Sequence, residues 1–485
     1  MKQVTQLLGL AIGLVFFSVS FAAKAGDVEE AIITKVIQVY GGEKLTSAKS
    51  ITVVNYNKGP WPGQSENPGL QEIWRINEEL TIDFVGKRKS MLSWRVSRSG
   101  KDLDRFVFDG QKGRIYDILN HKYSDEDWLS YDSLGRTVAR SSDTLIARAL
   151  ADNKDSTNYL GEAVYRGTLH QKLRIKMATG PEYTLYIHKA KGLISKMVRQ
   201  HPSAGELAYV FSNHGQSDGV VFARDMDFFV GGKPRKLSVE RNISINPPLE
   251  NLFDQPPGYT NWGEVFDSSE MSVRKLAKNV YHAGKGRSFT LFVDAGDYLI
   301  ASGGERDLKE TYQAVKAQTG DKPLKYMILT HHHTEHLGTL HDALALGANI
   351  VTVAQHLPPI RNRLSKAISN ESFTLVEGKA SFGDGAVQIH DIATAHSEHY
   401  LLVYLPKQKL VFGEDLFETQ LKTGMPRVHQ DMVTFRQALD ALDIEVERFS
   451  DGHSLRQLTM AELRAATDAF REVTCPRGYH ICAAG

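Results

Sequence analysis

The first half of the chain alternates apolar and polar side chains in short runs. Residues 173–177, 183–187 and 193–198 follow this pattern. Alternation with a period of two places one face of a strand on a core and the other in water, which is typical of an antiparallel sheet. Two stretches with helical spacing, residues 28–40 and 142–151, interrupt the strands. The pattern predicts a β-rich region that contains a few helices.

A proline-rich stretch separates this region from the rest of the chain. Residues 246–258 contain two Pro-Pro pairs, which remove backbone donors and restrict the backbone, so they indicate an extended linker. We therefore expect a β-rich N-terminal domain over residues 26–262 and a second domain over residues 263–485. The length of 485 residues supports the division, because so long a chain exceeds a single core.

Strands and helices alternate after the linker. Apolar runs at residues 289–293, 298–301 and 326–329 predict strands. Two apolar stripes at helical spacing accompany them, Leu308, Tyr312 and Val315 in one and Phe435, Ala438, Leu439, Leu442 and Val446 in the other. Thr459 and Glu462 have the spacing of a capping box at the start of a last helix. The alternation predicts α/β layering.

The first 25 residues have the composition of an export signal. Lys2 supplies a positive start, residues 7–21 are largely apolar, and residues 23–25 form a small-x-small cleavage site. The apolar run is too short for a permanent membrane anchor. We therefore expect a signal peptide over residues 1–25, cleavage near Gly26, and a periplasmic or secreted mature protein without a membrane span.

The two cysteines, Cys475 and Cys482, lie close together near the C-terminus. In an oxidising compartment such a pair is suited to a disulfide that closes the short loop between them. A zinc site would need further cysteines nearby, and the chain has none.

The charges of the chain nearly cancel, with 58 Lys and Arg against 57 Asp and Glu. Nucleic-acid binding relies on a clear excess of positive charge, so no nucleic-acid partner is expected. The expected partners are a small-molecule substrate and a second copy of the chain, bound through the N-terminal domain.

Residues 330–336, Thr-His-His-His-Thr-Glu-His, concentrate metal-ligand side chains in one short segment. They follow the predicted strand at 326–329. Neutral imidazoles together with a carboxylate suit a borderline-soft cation such as zinc. Further along, His396, Asp415 and His453 each end an apolar run, so each is expected at the same rim of a sheet.

In order and spacing these groups resemble the metallo-β-lactamase superfamily, whose signature is His-x-His-x-Asp-His followed by a His, an Asp and a final His. The resemblance implies an α/β (α+β) fold, the αβ/βα four-layer sandwich, for residues 263–485. It places the metal site at one edge between the two sheets. It also implies that the chain is a zinc-dependent hydrolase.

The resemblance further implies a set of metal ligands. Carried over position by position, these are His331, His333 and His396 for the first Zn²⁺ and Glu335, His336 and His453 for the second, with Asp415 as the bridge. At position 335 the family has Asp, and the longer Glu here puts the position, strength or metal preference of the second site in question. We assign the bridge to Asp415 rather than Glu414, because the flanking residues 404–407 and 416–417 fit that variant of the family. Strand alternation turns His332 away from the metals.

The chemistry implied by these ligands is hydrolytic. Two divalent cations about 3.5–4 Å apart hold a hydroxide and lower the pKa of its parent water toward about 7. We expect attack on a small ester, lactone, lactam or thioester, with Asp415 and Glu335 as the catalytic carboxylates. A β-lactamase is not the leading expectation, because the compact resistance enzymes lack a large N-terminal domain. His399 and Tyr400 are either donors to a substrate or polar residues that face solvent.

Two other hypotheses remain open. One is a redox enzyme similar to the single-iron persulfide dioxygenases, which a second site disabled by Glu335 would favour. The other is a non-catalytic protein that binds lipid or a partner and uses the metal as structure. Residues 26–262 are similar to the curved sheet of periplasmic lipoprotein-carrier domains, which implies a cradle for an apolar ligand. A rigid spacer or a dimerisation domain is the alternative.

Overall fold

The structure, a computed structural model, describes residues 25–176, 180–202, 204–364 and 368–484. The predicted signal peptide lies outside the described residues except for its last position, and Met177 at the end of a predicted strand lies outside them too. Among the described residues no helix has the length and apolar character needed to cross a bilayer.

A fourteen-stranded sheet forms the first region. Its strands are β1 (Ser50–Trp61), β2 (Glu72–Asp83), β3 (Arg88–Ser97), β4 (Gly100–Phe108), β5 (Gly113–Asp117), β6 (Lys122–Asp125), β7 (Thr157–Tyr165), β8 (Thr168–Lys176), β9 (Glu182–His188), β10 (Ile194–His201), β11 (Gly205–Ser217), β12 (Val220–Val230), β13 (Lys233–Ile245) and β14 (Thr260–Asn261). They are ordered β14-β6-β5-β4-β3-β2-β1-β13-β12-β11-β10-β9-β8-β7. Two antiparallel meanders join where β1 pairs with β13, with Ile51 opposite Ile245. The three strands predicted from alternation correspond to β8, β9 and β10.

Four helices cover one face of this sheet. They are α1 (Ala25–Tyr40), α2 (Glu43–Thr46), α3 (Arg136–Arg140) and α4 (Asp143–Asp152). In β9 the side chains of Tyr183, Leu185 and Ile187 are buried beneath them, and the residues between are half-buried. This is the alternation that the sequence predicted, and α1 and α4 correspond to the two predicted helices. The likeness to lipoprotein-carrier domains stays a prediction.

Two further sheets form the second region. The first, ordered β15 to β21, contains β15 (Ser272–Ala277), β16 (Val280–Lys285), β17 (Ser288–Asp294), β18 (Leu299–Gly303), β19 (Leu324–Ile328), β20 (Asn349–Thr352) and β21 (Phe373–Leu375). The second, ordered β22 to β27, contains β22 (Lys379–Phe382), β23 (Val387–Ile392), β24 (Tyr400–Leu405), β25 (Leu410–Phe412), β26 (Arg448–Ser450) and β27 (Leu458–Thr459). The helices are α5 (Leu308–Thr319), α6 (Leu340–Ala345), α7 (Leu357–Leu364), α8 (Gln430–Asp440) and α9 (Met460–Ala469).

The two sheets pack face to face, with helices on both outer faces. Strand β24 shows why its sequence is continuously apolar: Leu401 and Val403 point to the other sheet, whereas Leu402 and Tyr404 point to α8 and α9. On the other side, Leu308 of α5 packs against the outer face of the first sheet. A strand buried on both faces needs apolar residues at every position. The layer order is helix, sheet, sheet, helix, so the predicted αβ/βα four-layer sandwich is confirmed.

The last predicted helical stripe is shorter than expected. Helix α8 ends at Asp440, so Leu442 and Val446 lie beyond it, although both pack against the same core as Phe435. The helix stops here because the chain must turn back to enter β26, which runs parallel to β25. Helix α9 has the predicted capping box between Thr459 and Glu462.

The C-terminal segment returns to the first region. Helix α10 (His480–Ala483) lies against β2 and β3, where Ile481 is fully buried and its carbonyl accepts a 2.8 Å hydrogen bond from Asn77 Nδ2. Cys475 and Cys482 form a disulfide just before and within this helix. The division of the chain at residue 262 stays a prediction, and this segment ties the two sides of that division together.

Candidate metal centre

The predicted metal ligands lie at one edge of the second region, where its two sheets meet. The histidines of residues 331–336 follow β19, His396 follows β23, Asp415 follows β25 and His453 follows β26. Strands β23, β25 and β26 run in the same direction, so their carboxyl ends reach the same edge. Loops at this edge therefore bring together residues that are far apart in sequence.

One group consists of His331, His333, His396 and Asp415. The Nε2 atoms of His331 and His396 are 3.0 Å apart. Asp415 Oδ2 lies 3.4 Å from His331 Nε2 and 3.1 Å from His396 Nε2. The ring of His333 completes the group, with its centroid 4.4 Å from that of His331 and 4.6 Å from that of His396.

A second group consists of His336, Asp415 and His453. Asp415 Oδ2 lies 3.0 Å from His336 Nε2, and Asp415 Oδ1 lies 2.6 Å from His453 Nε2. Asp415 is the member that the two groups share. The structure thus brings together six of the seven residues that the sequence predicts as ligands, in the two sets that the resemblance implies. Their role as ligands stays a prediction.

Each of the five imidazoles turns its other nitrogen toward an acceptor. The outward contacts are His331 Nδ1 to Thr330 Oγ1 at 3.0 Å, His333 Nε2 to the Ser65 carbonyl at 3.2 Å, His336 Nδ1 to Glu414 Oε1 at 2.9 Å, His396 Nδ1 to Asp431 Oδ2 at 3.1 Å and His453 Nδ1 to the Arg287 carbonyl at 2.8 Å. The His336–Glu414 contact is close but lacks hydrogen-bond alignment. Carbonyl and carboxylate oxygens can only accept hydrogen bonds. The Thr330 hydroxyl donates its proton to Glu414, so the hydroxyl oxygen accepts from His331 Nδ1.

These outward contacts decide which nitrogen of each ring is free to bind a cation. A proton on the outer nitrogen leaves the lone pair of the inner nitrogen directed into the cluster, as it is in histidines that bind metals. The inner nitrogen of His333 is Nδ1, and it is buried without a hydrogen-bond partner among the described residues. The outward contacts therefore hold the rings in an orientation that directs one nitrogen of each toward the centre of the cluster.

The electrostatics of the cluster separate its members. Burial lowers the pKa of His331 and of His333, and neighbouring imidazoles lower both further. Burial also opposes protonation of His336 and His453, but the nearby Asp415 carboxylate outweighs it. It raises the pKa of His336 well above its usual value, and it raises the pKa of His453 to about 10. Burial raises the pKa of Asp415, and the facing imidazoles outweigh that effect and hold it well below its usual range. Asp415 is thus ionised, and its negative charge favours positive charge at the middle of the cluster.

Glu414 lies behind the cluster rather than in it. Its side chain is almost fully buried, contacts His336 Nδ1, and accepts the hydroxyl of Thr330. Its backbone is in the left-handed region, with φ of 43°, which turns Glu414 and the next residue, Asp415, to different sides. The structure therefore places Asp415 between the two groups and Glu414 on the outer side of one histidine.

Glu335 lies outside both groups. Its Oε2 accepts a 2.5 Å hydrogen bond from Gln64 Nε2, and its Oε1 is 4.0 Å from His336 Nε2. A third of the side chain is exposed, and it lines the cleft in front of the cluster. The carboxylate of Glu335 is directed toward Gln64 of the first region. Its role as a metal ligand stays a prediction.

A cleft of about 1580 Å³ opens in front of the cluster, between the two regions. The second region contributes His396, Asp415 and His453 to its floor. The first region contributes side chains to its walls, including Trp61, Gln64, Arg98, Trp128 and Trp262. The cluster is therefore reached through a space that neither region encloses alone.

The structure also shows where Tyr400, His399 and His332 lie, whose surroundings the sequence did not determine. Tyr400 is fully buried, stacks on His331 at 4.9 Å and donates to the Gly413 carbonyl at 2.7 Å. His399 Nδ1 lies 2.8 Å from Asp391 Oδ2, and His332 lies buried against His356. Sequence reasoning missed the outer partners. Asp431 lies in the first turn of α8, before the predicted apolar stripe that begins at Phe435, and no motif in the sequence marks it or the Ser65 carbonyl as an outer partner.

No protein-family model matches this sequence, and no curated protein matches it either. Among solved structures, the metallo-β-lactamase DIM-1 is similar at 16% identity, covering 41% of this chain and 97% of that one, with a TM-score of 0.33. The metallo-β-lactamase FIM-1 from Pseudomonas aeruginosa, in a mono-zinc form, is similar at 18% identity, with 42% and 95% covered and a TM-score of 0.34. The Flv1 flavodiiron core from Synechocystis sp. PCC6803 is similar at 14% identity, with 41% and 60% covered and a TM-score of 0.35.

The layers of the second region and the order of the predicted ligands along the chain identify its fold. The histidines and Asp415 follow the strands in the order of the superfamily signature, and they meet at the shared edge of two packed sheets. The second region of this chain has the metallo-β-lactamase fold.

Proposed function

We propose that the chain is an exported metal-dependent hydrolase acting on a small ester, lactone, lactam or thioester. The observation that carries the proposal is the arrangement of five imidazoles around Asp415, each with one nitrogen facing inward and the other facing an acceptor. A solvated histidine run would not need an acceptor at every outer nitrogen. Such partners orient metal ligands and fix their tautomers.

The residues present fit two zinc ions. Imidazole nitrogens with one carboxylate form a donor set that zinc prefers, and the buried Nδ1 of His333 is an acceptor with no other partner among the described residues. His331, His333 and His396 would hold the first ion and His336 and His453 the second, with Asp415 contacting both. When bound, the ions acidify a water molecule and stabilise negative charge on a carbonyl oxygen.

Two carboxylates divide the remaining work. Both oxygens of Asp415 already face imidazole nitrogens, so Asp415 holds the cluster together and supplies its negative charge. Glu335 also lines the cleft, with its Oε1 4.0 Å from His336 Nε2 and its side chain one-third exposed. We assign Glu335 the role of accepting a proton from the attacking water and returning it to the leaving group. Gln64 holds Glu335 in place for this step.

The cleft sets the scale of the substrate. Pockets for small ligands occupy about 300–1,000 Å³, and this cleft is larger and has walls from both regions. Tryptophans line its outer part, and Trp128 is 60% exposed. A compact reactive group attached to a larger apolar part fits such a space.

The first experiment is elemental analysis of the mature protein, purified without chelators or added metal. Nearly two zinc ions per chain would support the hydrolase, and hydrolysis would then be screened on esters, lactones, lactams and thioesters. A chain that binds no zinc, even when zinc is added in excess, would overturn the proposal.

A second candidate function is redox chemistry with a single iron. His336, His453 and Asp415 form a set of two histidines and one carboxylate, which non-haem iron enzymes also use. One iron per chain in the same analysis, with no zinc, would favour this candidate. The four-donor group around His331 is the reason that the two-zinc hydrolase comes first.

Export and partners belong to the same proposal. The signal-like segment at residues 1–25 and the Cys475–Cys482 disulfide both suit an oxidising compartment outside the cytoplasm. Amino-terminal sequencing of the protein from a cell fraction tests this, with a start near Gly26 expected. We propose a small-molecule partner, no nucleic acid, and a homodimer through the first region, which sedimentation at two concentrations tests.

A further inference from the structure

The first region reaches the metal centre at two points. The Ser65 carbonyl, in the loop between β1 and β2, faces His333 Nε2 at 3.2 Å. Arg98, in the turn between β3 and β4, lies 3.4 Å from Asp431 Oδ2, which in turn lies 3.1 Å from His396 Nδ1. Neither point is part of the ligand set that the sequence predicts, and both lie far from that set along the chain.

We propose that Arg98 is a positioning residue of the first metal site, acting on His396 through Asp431. The inference rests on the proposed function, since it assumes that His396 binds a metal. Among the described residues, the hydrogen-bond partners of Arg98 are Glu72, Gln64 and Asp431, and none of them is a predicted metal ligand. Its effect is on the orientation and tautomer of one imidazole, and through these on the strength of metal binding.

The Arg98–Asp431–His396 chain is buried along its whole length. The exposed fractions of the three side chains are 10%, 8% and 7%. A buried carboxylate is costly unless opposite charge and hydrogen bonds compensate it. Arg98 supplies a permanent positive charge 3.4 Å from Asp431 Oδ2, the same oxygen that lies 3.1 Å from His396 Nδ1.

Arg98 is itself held in place. Its Nε donates to the Gln64 carbonyl at 2.7 Å, and its backbone N–H donates to Glu72 Oε1 at 2.9 Å. Gln64 directly precedes Ser65, whose carbonyl faces His333. The side chain of Gln64 donates a hydrogen bond to Glu335. A single guanidinium therefore fixes the loop that contacts His333 and the carboxylate that contacts His396. Both histidines belong to the first metal group.

Removing Arg98 should weaken metal binding without removing a ligand. Asp431 Oδ1 has no hydrogen-bond partner among the described residues, so the loss of Arg98 leaves its carboxylate with His396 alone. The charge of Asp431 is then less stable, and the imidazole is free to rotate or change tautomer. Loss of such outer partners typically weakens metal affinity about 10–100-fold.

The test compares zinc affinity in the full mature chain by competition with a chelator. Arg98→Ala should weaken binding of the first zinc roughly tenfold or more, and Arg98→Lys should restore part of the loss. Arg95→Ala is the matched control. Arg95, on the adjoining strand β3, lines the same cleft, but its side chain is 48% exposed and pairs with Asp102 rather than with Asp431. Its removal should change zinc affinity by less than about twofold.

A double substitution separates positioning from general loss of structure. Because Arg98 acts through Asp431, and its bond to the Gln64 carbonyl is the remaining route, Arg98→Ala should weaken zinc binding much less in the Asp431→Asn background than in the wild-type chain. The absorption spectrum of the cobalt-substituted protein should also change in Arg98→Ala and stay the same in Arg95→Ala, because it reports ligand geometry. Melting of the metal-free chain shows whether each variant folds. If Arg98→Ala fails to fold, Arg98→Lys carries the same comparison.

Unchanged zinc affinity and an unchanged cobalt spectrum in Arg98→Ala would overturn the inference, and so would full additivity with Asp431→Asn. These results can be distinguished from a failure of the proposed function. A wild-type chain that binds two zinc ions and hydrolyses none of the substrate classes would reject the hydrolase, yet the affinity comparison would still decide the role of Arg98. A wild-type chain without zinc affinity would reject both.

Discussion

The two regions of this molecule use β-structure in different ways. The first region is one long, mainly antiparallel sheet in which strands such as β9 alternate buried and half-buried residues. The second consists of two short-stranded sheets in which inner strands such as β24 are buried on both faces. All the predicted metal ligands lie at strand ends of the second region. The first region contributes to the same centre only a carbonyl and side chains around it, including Gln64 and Arg98. The ligands therefore come from one region, and part of what orients them comes from the other.

The largest expected effect comes from a ligand of the second region. His333→Ala removes the ring that completes the first group, so hydrolysis should be lost, by at least about a thousandfold, and metal content should fall. Circular dichroism should show the first sheet still folded, because His333 contributes nothing to its core. Metal analysis and turnover of the identified substrate check this. Activity that survives the change would show that the first site is assigned to the wrong residues.

The next effect comes from the junction between the regions. Arg427 of the second region lies 3.1 Å from Asp102, 3.3 Å from Asp104 and 3.2 Å from Asp117, all buried carboxylates of the first. Arg427→Ala should lower the free energy of unfolding by about 3–5 kcal/mol, because it leaves buried charges without compensation. Urea denaturation measures this. Arg95→Ala, which breaks a more exposed pair, should cost less than about 1 kcal/mol. Equal losses in the two variants would contradict the prediction.

Two neighbouring aspartates of this junction should respond in opposite directions. Burial raises the pKa of Asp102, but Arg427 and Arg95 outweigh it and lower that pKa, so the charged form stabilises the fold above the unfolded value of about 3.9 and is lost as the pH falls. Burial raises the pKa of Asp104 to about 6, so its charged form costs stability as the pH rises from about 4 to 6.

Replacing each aspartate by asparagine tests the signs. At pH 7.5, Asp102→Asn should lower the melting temperature, whereas Asp104→Asn should raise the free energy of unfolding, on the order of 1 kcal/mol. Below about pH 3, where Asp104 is protonated in both the folded and the unfolded state, the gain from Asp104→Asn should disappear. A fall in stability at pH 7.5 in both variants would mean that Arg427 compensates both carboxylates equally.

A smaller effect is expected where the two regions meet at Glu335. Shortening this residue in Glu335→Asp restores the family residue and draws the carboxylate away from Gln64. The second metal should then bind several-fold more tightly, because one more oxygen donor becomes available near His336. Titration of the second equivalent of zinc measures the change, with Glu335→Gln as the uncharged control. Unchanged stoichiometry and affinity would show that Glu335 already binds fully.

The difference between the regions also explains which features the sequence predicts. In the second region the layers follow from continuous apolar runs, and the ligands follow from the order of His331, His396, Asp415 and His453, because each directly follows a strand. In the first region, alternation predicted β8, β9 and β10 and spacing predicted α1 and α4. The extent of the sheet did not follow, because the pairing of β1 with β13 joins residues nearly two hundred positions apart.

The outer partners of the site were beyond sequence reasoning for the same physical reason. Ser65 acts through a carbonyl that every residue possesses, and Arg98 acts through an ion pair with a residue 333 positions later. Such contacts depend on how two regions dock, which no local pattern encodes. Helix α8 shows a smaller case: Leu442 and Val446 keep the helical spacing and the core contact, yet the chain has already turned toward β26.

Two helix caps, one from each region, allow a further comparison. Ser142 begins α4 and accepts from the Leu145 N–H at 3.3 Å, and both residues are buried. Thr459 begins α9 with a full capping box to Glu462, at an exposed position. Ser142→Ala should cost about 1–2 kcal/mol, because the Leu145 amide loses its cap where water cannot replace it. Thr459→Ala should cost about 0.5–1 kcal/mol, because water can satisfy the freed amide. Chemical denaturation of both variants measures the difference, and a larger loss in Thr459→Ala would mean that the capping box, rather than burial, decides the strength of a cap in this protein.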